Sequence, residues 1–198
     1  MVYVFLRFLG FLILKFVFGL QVKGREHIPK KGGFILASNH TSYIDPVAVG
    51  VASPRRLSYM ARHDLFSHYF FAWLLRAIEV FPIKRDSADL SALKEAMHRV
   101  KDKQQGLLLF PEGTRSTTGE ISSDVQPGIG FLVAKLNVPV IPVFVKGAME
   151  ALPRGAKSYR RNRISVSFGE QISLERRMPY QDIAKKIMEE IRHLSCKK

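Results

Sequence analysis

The amino-acid sequence predicts an α/β fold: a single domain with a mostly parallel central sheet flanked by helices, preceded by an N-terminal hydrophobic helix. Strand-like and helix-like segments alternate along the chain, which is the pattern of such folds. Two wholly apolar runs, LLLF at 107–110 and VPVIPVFV at 138–145, are typical of strands covered on both faces. With 198 residues, 46% of them hydrophobic, the chain can fill one sizeable core.

The N-terminal segment is almost wholly apolar and aromatic, interrupted by Arg7 and Lys15. The segment is followed by Gln21, Val22 and Lys23, where a secretory signal would carry a small-residue cleavage site, so we expect it to be retained. A basic side chain near the centre of a membrane span costs on the order of 2.5 kcal/mol or more. We therefore expect a membrane-associated helix over residues 1–22, lying in the interface or anchoring at a tilt, and a second domain over residues 23–198. A buried amphipathic helix is the alternative.

The other elements follow from hydrophobic periodicity and capping residues. The segment that starts at Ser87 has a capping serine, apolar residues at helical spacing and Gly106 as a stop, which predicts a helix. Two prolines in the run 138–145 favour a sheet edge or a strand start. Strands are expected at 34–37, 57–62, 107–110, 138–145 and 163–169, and helices at 64–80, 87–105 and 179–195.

The chain is strongly basic. Its 31 Lys and Arg residues against 17 Asp and Glu give a formal net charge of +14, which favours an anionic partner such as a membrane surface, nucleic acid or a phosphorylated substrate. The basic run at 153–163 is expected either to face such a partner or to be a solvated loop. The single cysteine, Cys196, excludes an intramolecular disulfide.

The first candidate site follows the strand at 34–37, in the segment SNHTSYID. In parallel sheets, active groups collect where strands end and helices begin. His40 is expected on the turn and Asp45 in the first helical turn, where the carboxylate can accept from one imidazole nitrogen and leave the other as a base. The alternative is that Asp45 caps the helix and His40 satisfies nearby backbone groups.

A second polar cluster follows the strand at 107–110, in the segment PEGTRS. Gly113 permits a tight turn, and the guanidinium of Arg115 offers a rigid fork of donors suited to phosphate. A third strand-like segment, EVFPIKRD at 79–86, ends in Lys84 and Arg85. The three segments together predict one pocket that contains a base and a phosphate clamp.

These segments resemble the conserved blocks of the glycerolipid acyltransferases. NHTSYID at 39–45 resembles the first block of that family, FPEGTRS at 110–116 the third, and VPVIPVFV the fourth. EVFPIKRD is a looser version of the second, with Arg85 in the place of that block's basic residue. The resemblance extends from about residue 23 to residue 145 and is greatest to the 1-acylglycerol-3-phosphate acyltransferases.

The resemblance implies a membrane enzyme of phospholipid biosynthesis. It would move a fatty acyl group from acyl-coenzyme A or acyl carrier protein to the free hydroxyl of lysophosphatidate, giving phosphatidate, with its active site on the cytoplasmic face of the membrane. The thioester is a co-substrate, and no cofactor and no metal are expected. The residues implied are His40 and Asp45 for catalysis, and Lys84, Arg85, Glu112, Gly113, Thr114 and Arg115 for substrate binding.

The residues allow a direct transfer, because no serine stands in the G-x-S-x-G context of a nucleophile elbow. His40 would take the proton of the acceptor hydroxyl as it attacks the thioester, and a thiolate leaves readily because an ordinary thiol has a pKa of about 8.5. Glu112 is expected to shape its loop and to position the acceptor or Arg115. The backbone around Gly113 is expected to donate to the thioester oxyanion.

Two alternatives stay open from the sequence. The first is an acyltransferase of the same family that acts on another lysolipid or on glycerol 3-phosphate. The second is a nonenzymatic basic protein that binds membrane or RNA. No nucleic-acid partner is expected, because the sequence contains no recognisable nucleic-acid-binding motif and such a protein would need neither the His–Asp pair nor the PEGTRS loop.

Overall fold

A computed structural model describes residues 2–84, 89–121, 125–153, 155–156, 158–175 and 177–197. The strands are β1 (Gln21–Lys23), β2 (Phe34–Ser38), β3 (Leu57–Arg62), β4 (Val80–Ile83), β5 (Gly106–Leu109), β6 (Val140–Lys146) and β7 (Ser165–Phe168). The helices are α1 (Val2–Phe16), α2 (Asp45–Ala52), α3 (Tyr69–Ala77), α4 (Leu90–Met97), α5 (Pro127–Leu136), α6 (Ala148–Ala151) and α7 (Tyr180–Cys196).

The strands form one seven-stranded sheet in the order β1-β7-β6-β2-β5-β3-β4. All neighbouring pairs are parallel except β6 and β7, which are antiparallel. The predicted α/β fold with a mostly parallel central sheet is therefore confirmed. Because β2 and β5 are parallel neighbours, the loops that follow them start side by side at the carboxyl ends of the strands. We call this end of the sheet the site edge.

Two hydrophobic cores cover the two faces of the sheet. Alternate residues of β2 belong to the two cores. Phe34 and Leu36 lie in the core under α1 and α2, whereas Ile35 and Ala37 lie in the core under α4, α5 and α7. This alternation follows from the two-residue period of a strand. Burial on both faces explains why β2 and β5 are continuous apolar runs.

Two sequence-based expectations about local structure differ from the fold. Pro142 lies in β6, which is an interior strand between β7 and β2 rather than an edge. The proline is tolerated because it lies at the end of the ladder with β7: Val143 is the first paired residue, and the carbonyl of Pro142 still accepts from the amide of Gly169 at 2.8 Å. Gly106 starts β5 instead of ending a helix, and a Cβ there would come within 2.4 Å of the Phe34 ring.

The N-terminal cap of α4 is Asp89, which accepts hydrogen bonds from the amides of Ser91 and Ala92. The expected capping residue, Ser87, lies outside the described residues.

Helix α1 packs with one face on α2 and leaves the other face exposed. Tyr3 and Leu14 are buried, and Gly10 permits close approach because a Cβ there would lie 3.3 Å from a Val51 methyl group. The expected boundary between residues 22 and 23 falls within β1, which pairs with β7. Among the described residues, no helix has the length and hydropathy needed to cross a membrane.

Candidate active site

His40 and Asp45 meet at the edge of the sheet where β2 ends. Asp45 is the first residue of α2 and is fully buried. Its Oδ2 lies 3.0 Å from Nδ1 of His40 and also accepts from the amides of Thr41 (2.6 Å) and Ser42 (2.7 Å). A carboxylate in this position assigns the ring proton to Nδ1 and leaves Nε2 to accept a proton.

The imidazole of His40 is also held by an aromatic ring. Phe110, directly after β5, stacks on it with ring centroids 3.9 Å apart and planes inclined by 19°. The His40 side chain remains 17% exposed. The ring is therefore fixed in direction by Asp45 and in plane by Phe110, while one edge stays accessible.

The loop after β5 wraps around the backbone of His40. Glu112 is buried, and its Oε1 accepts from the amide of His40 at 3.0 Å. The amide of Ser116 donates to the carbonyl of His40 at 2.8 Å. Gly113 has φ +68°, and a Cβ at that position would lie 2.4 Å from Gln126, so the turn requires glycine. Both backbone groups of His40 are thus bound by the PEGTRS loop.

Arg115 lies at the same edge with part of its guanidinium unsatisfied. Its Cζ lies 3.5 Å from the centroid of the Tyr43 ring, in cation–π geometry. Within the described part of the chain, Nη1 of Arg115 is buried without a hydrogen-bond partner. A buried cationic donor without a partner is costly unless a ligand satisfies it. The position therefore suits an anionic group.

The other residues predicted from the sequence lie at varying distances from this centre. Thr114 is exposed in the loop next to Arg115. Lys84 is exposed at the end of β4. Strand β4 is two positions from β5 in the sheet, a separation of about 10 Å between the two strands. Arg85 lies outside the described residues. The amide of Gly113 donates to the carbonyl of Phe110 at 2.9 Å, so it is not available to the expected oxyanion.

Three contributors to the site were not expected from the sequence: Phe110, Tyr43 and Asn39. The Asn39 side chain pairs with both backbone groups of Val145, accepting at 2.8 Å and donating at 2.9 Å, and so ties the His40 loop to β6. All three lie within the quoted segments. Each lies within two positions of a predicted site residue, which is the signal that could have drawn attention to them. Their contacts, however, join residues that are far apart in the chain.

Two other features of the structure bear on the location of the site. A groove of about 870 Å³ between α5 and the start of α7 includes Val138 and Pro139, which precede β6, so it lies at the opposite edge of the sheet from His40. Within the described residues, no group of three or more His, Cys, Asp or Glu side chains is arranged to hold a metal ion.

The fold and the site together define a class of protein. It is an α/β domain in which an oriented histidine and an arginine suited to bind an anion lie at the carboxyl ends of the parallel strands. The family described as Acyltransferase matches residues 19–146. The chain belongs to this acyltransferase family.

Individual relatives agree with the family. The chain is 30% identical over 177 residues to the 1-acyl-sn-glycerol-3-phosphate acyltransferase of Streptococcus pneumoniae, and this match covers 88% of the chain and 64% of that protein. It is 26% identical over 157 residues to the Bacillus subtilis protein of the same name, covering 78% and 74%. The chain thus spans somewhat less than two thirds of the length of the first relative.

A solved structure has the same fold. The crystal structure of the 1-acyl-sn-glycerophosphate (LPA) acyltransferase PlsC from Thermotoga maritima superposes with a TM-score of 0.79 at 23% sequence identity. The match covers 98% of this chain and 80% of that one.

Proposed function

We propose that this protein transfers an acyl group from an acyl thioester to the free hydroxyl of lysophosphatidate, forming phosphatidate. The observation that carries the proposal is the set of three donors on Asp45 Oδ2, because it orients His40 with Nε2 as the proton acceptor. The names of the Streptococcus pneumoniae and Bacillus subtilis relatives support lysophosphatidate as the acceptor.

In the proposed reaction His40 acts as the general base. Nε2 takes the proton of the acceptor hydroxyl while that oxygen attacks the thioester carbon, so a C–O bond forms as the C–S bond breaks. The imidazolium that results is stabilised by the buried carboxylate of Asp45. The proton then passes to the departing thiolate, and neither a covalent acyl-enzyme nor a metal or other cofactor is needed.

Arg115 is proposed to bind the phosphate of the acceptor. Its buried Nη1 supplies a donor, and the loop that carries it also binds both backbone groups of His40. The base and the proposed phosphate site are therefore linked through the backbone, which fixes the position of the Arg115 guanidinium relative to the His40 imidazole. Lys84 is proposed to extend this cationic region from the end of β4, and Thr114 to flank it. For Arg85, the substrate-binding role stays a prediction from the sequence.

Helix α1 is proposed to lie in the membrane interface. Its outer face exposes apolar side chains, among them Phe5 (65%), Phe8 (58%) and Phe16 (73%). Tyr159 contacts Phe18 just beyond the end of α1, with ring centroids 5.6 Å apart, and so brings the exposed basic residues at 160–161 to that end. An apolar face with adjacent cations suits an anionic leaflet, and we place the site at the cytoplasmic face for this reason.

The activity is tested with purified protein, lysophosphatidate and an acyl-coenzyme A or an acyl carrier protein thioester in detergent. Release of free thiol together with phosphatidate supports the proposal. Thiol release that is independent of acceptor indicates a thioesterase and contradicts it. A panel with other lysolipids and with glycerol 3-phosphate identifies the acceptor, and a higher kcat/KM for one of these overturns the assignment to lysophosphatidate.

The membrane contact of α1 is tested by substitution rather than by deletion, because Leu14 and Phe18 belong to the core and deletion would unfold it. Phe8→Ser is expected to weaken binding to vesicles at high salt, since it removes an exposed apolar side chain. Leu90→Ser, at a residue 65% exposed on the opposite face of the sheet, is the matched control. Equal binding of the two variants would contradict the proposal.

A further inference from the structure

Helix α3 carries an aromatic surface that the proposed chemistry does not use. Of its nine residues only Ala72 is buried. Tyr69 is 89% exposed, Phe70 72%, Trp73 49% and Phe71 42%. Among the four rings, those of Phe70 and Trp73 stack with their centroids 6.0 Å apart. Large exposed apolar patches on soluble proteins mark surfaces of contact. We call these four residues the α3 aromatic surface.

The α3 aromatic surface lies on the same side of the sheet as α1. The crossovers from β2 to β3 and from β3 to β4 run in the same direction across the sheet, so right-handed connections place α2 and α3 on one face. The exposed faces of α1 and α3 therefore belong to one layer of helices.

The start of α3 also faces the site edge. β3 is parallel to β5, which is parallel to β2, so the end of β3 lies at the edge of the sheet that carries His40. A short turn at His63–Phe66 leads from β3 into α3. Tyr69 and Phe70, at the start of the helix, are thus nearer to this edge than Arg76 is.

The charge and the residue types of α3 indicate what contacts it. The helix contains no acidic residue, and Arg76 stands in its last turn. The nearest preceding carboxylate, Asp64, is held by Arg62 at 2.7 Å. Tyrosine and tryptophan are enriched where an apolar phase meets headgroups. With a net charge of +14 on the whole chain, these features suit an anionic lipid surface better than an acidic or a purely apolar protein groove.

We propose that α3 is a second membrane-contacting element, which inserts its aromatic surface into the headgroup region and, together with α1, holds the His40 edge at the bilayer. The inference deepens the proposed membrane contact of α1 and does not depend on acyl transfer. Two separated contacts would fix the orientation of the domain, whereas α1 alone would leave it free to rotate about the helix axis.

Trp73 makes a direct test possible because it is the only tryptophan of the chain. Its fluorescence is measured with vesicles of phosphatidylcholine, with and without phosphatidylglycerol, and with lipids brominated on the acyl chain. We expect a shift of the emission to shorter wavelength, larger with phosphatidylglycerol, and quenching by the brominated lipid. Unchanged, unquenched emission from protein that floats with the vesicles overturns the inference while leaving α1 and the proposed reaction untouched.

Partition into vesicles gives a second measurement. Phe70→Ser is expected to lower the partition coefficient about tenfold, as removal of one large apolar side chain from the lipid phase should, and Leu90→Ser is expected to leave it unchanged. Equal partition of the two variants contradicts the inference. A shift of the Trp73 emission that depends on protein concentration without vesicles, with a doubled mass, would assign the surface to a second copy of the chain and would also overturn it.

Discussion

The guanidinium carbon of Arg115 lies 3.5 Å from the centre of the Tyr43 ring, so the cation of one loop rests on an aromatic side chain of the other. Tyr43 follows His40 by three residues, and its side chain is 63% exposed. The contact fixes the plane of the guanidinium and leaves its edge donors for a ligand, including the buried Nη1. Tyr43 is therefore a positioning residue for the proposed phosphate site.

Tyr43→Leu is expected to raise the KM for lysophosphatidate by about two- to thirtyfold, because a cation–π contact is worth about 0.5 to 2 kcal/mol. The KM for the acyl donor should change much less. Tyr43→Phe should restore the wild-type KM, since the ring and not the hydroxyl makes the contact. Steady-state kinetics on the three proteins decide the matter, and a Phe variant as impaired as the Leu variant would contradict the role of the ring.

His40→Ala should lower kcat by about two to four orders of magnitude, which is the usual contribution of general-base catalysis. Its effect on stability should be small, because the ring is partly exposed and Asp45 keeps the bonds from the Thr41 and Ser42 amides. Single-turnover kinetics and thermal unfolding of the same preparation separate the two effects. Near wild-type turnover would show that His40 has only a structural role.

Asp45→Asn should reduce both activity and stability. Oδ2 of Asp45 accepts from one ring nitrogen and two backbone amides, and a neutral amide group binds the three donors less strongly than a carboxylate does. We expect a smaller loss of kcat than for His40→Ala and a loss of about 1 to 3 kcal/mol in the free energy of unfolding. Urea unfolding measures the second quantity. An unchanged midpoint would mean that the buried charge is not needed to hold the loop.

The parts of the fold that follow from local pattern were predictable from the sequence. Continuous apolar runs predicted β2 and β5 because both faces of these strands are covered, and the pairing of His40 with Asp45 was predictable because the two residues are only five positions apart. Strand order is different, since it depends on contacts between distant segments. Nothing in the sequence of β1 shows that it pairs with β7, 144 residues later at Gln21 and Ser165.

The same limit applies to the site. The prediction of one pocket assumed that the segment after β4 lies beside the segments after β2 and β5. In the sheet, β3 lies between β4 and β5, so Lys84 is separated from the PEGTRS loop by one strand. Glu112 was expected to shape its loop and to position the acceptor or Arg115, and the contact that its Oε1 makes with the backbone amide of His40 could not be read from the sequence. The contact of Tyr43 with Arg115 spans 72 positions and leaves no periodic signal. Contacts of this kind depend on the three-dimensional arrangement of the two loops and cannot be predicted from the local sequence of either.

Asp89 should make stability depend on pH in the acid range. Hydrogen bonds from the Ser91 hydroxyl and from the amides of Lys84 and Ala92 lower the pKa of Asp89 from 3.8 to about 2. Because the pKa is lower in the folded state, the stabilisation is fully present above about pH 4 and is lost as the pH falls towards about 2.

Two substitutions at this helix cap check the assignment. Asp89→Ala should cost about 0.5 to 2 kcal/mol in the free energy of unfolding at neutral pH, the usual value of an N-cap. Asp89→Asn retains a capping oxygen and should cost less. The difference between wild type and either variant should shrink as the pH is lowered through this window. A difference that does not vary with pH would show that the charge of Asp89 contributes nothing.

Arg115→Lys separates the phosphate site from the base. The substitution keeps the positive charge, but an ammonium group lacks the planar fork that stacks on Tyr43 and donates at Nη1. We expect a higher KM for lysophosphatidate, a much smaller change in the KM for the acyl donor, and a smaller penalty for an acceptor that lacks the phosphate. The decisive measurement is kcat/KM for wild type and variant on phosphorylated and unphosphorylated acceptors. An equal loss on both acceptors would mean that Arg115 maintains the loop around His40 or contacts the donor, and the phosphate site would then have to be sought at Lys84, Arg85 or the basic run at 153–163.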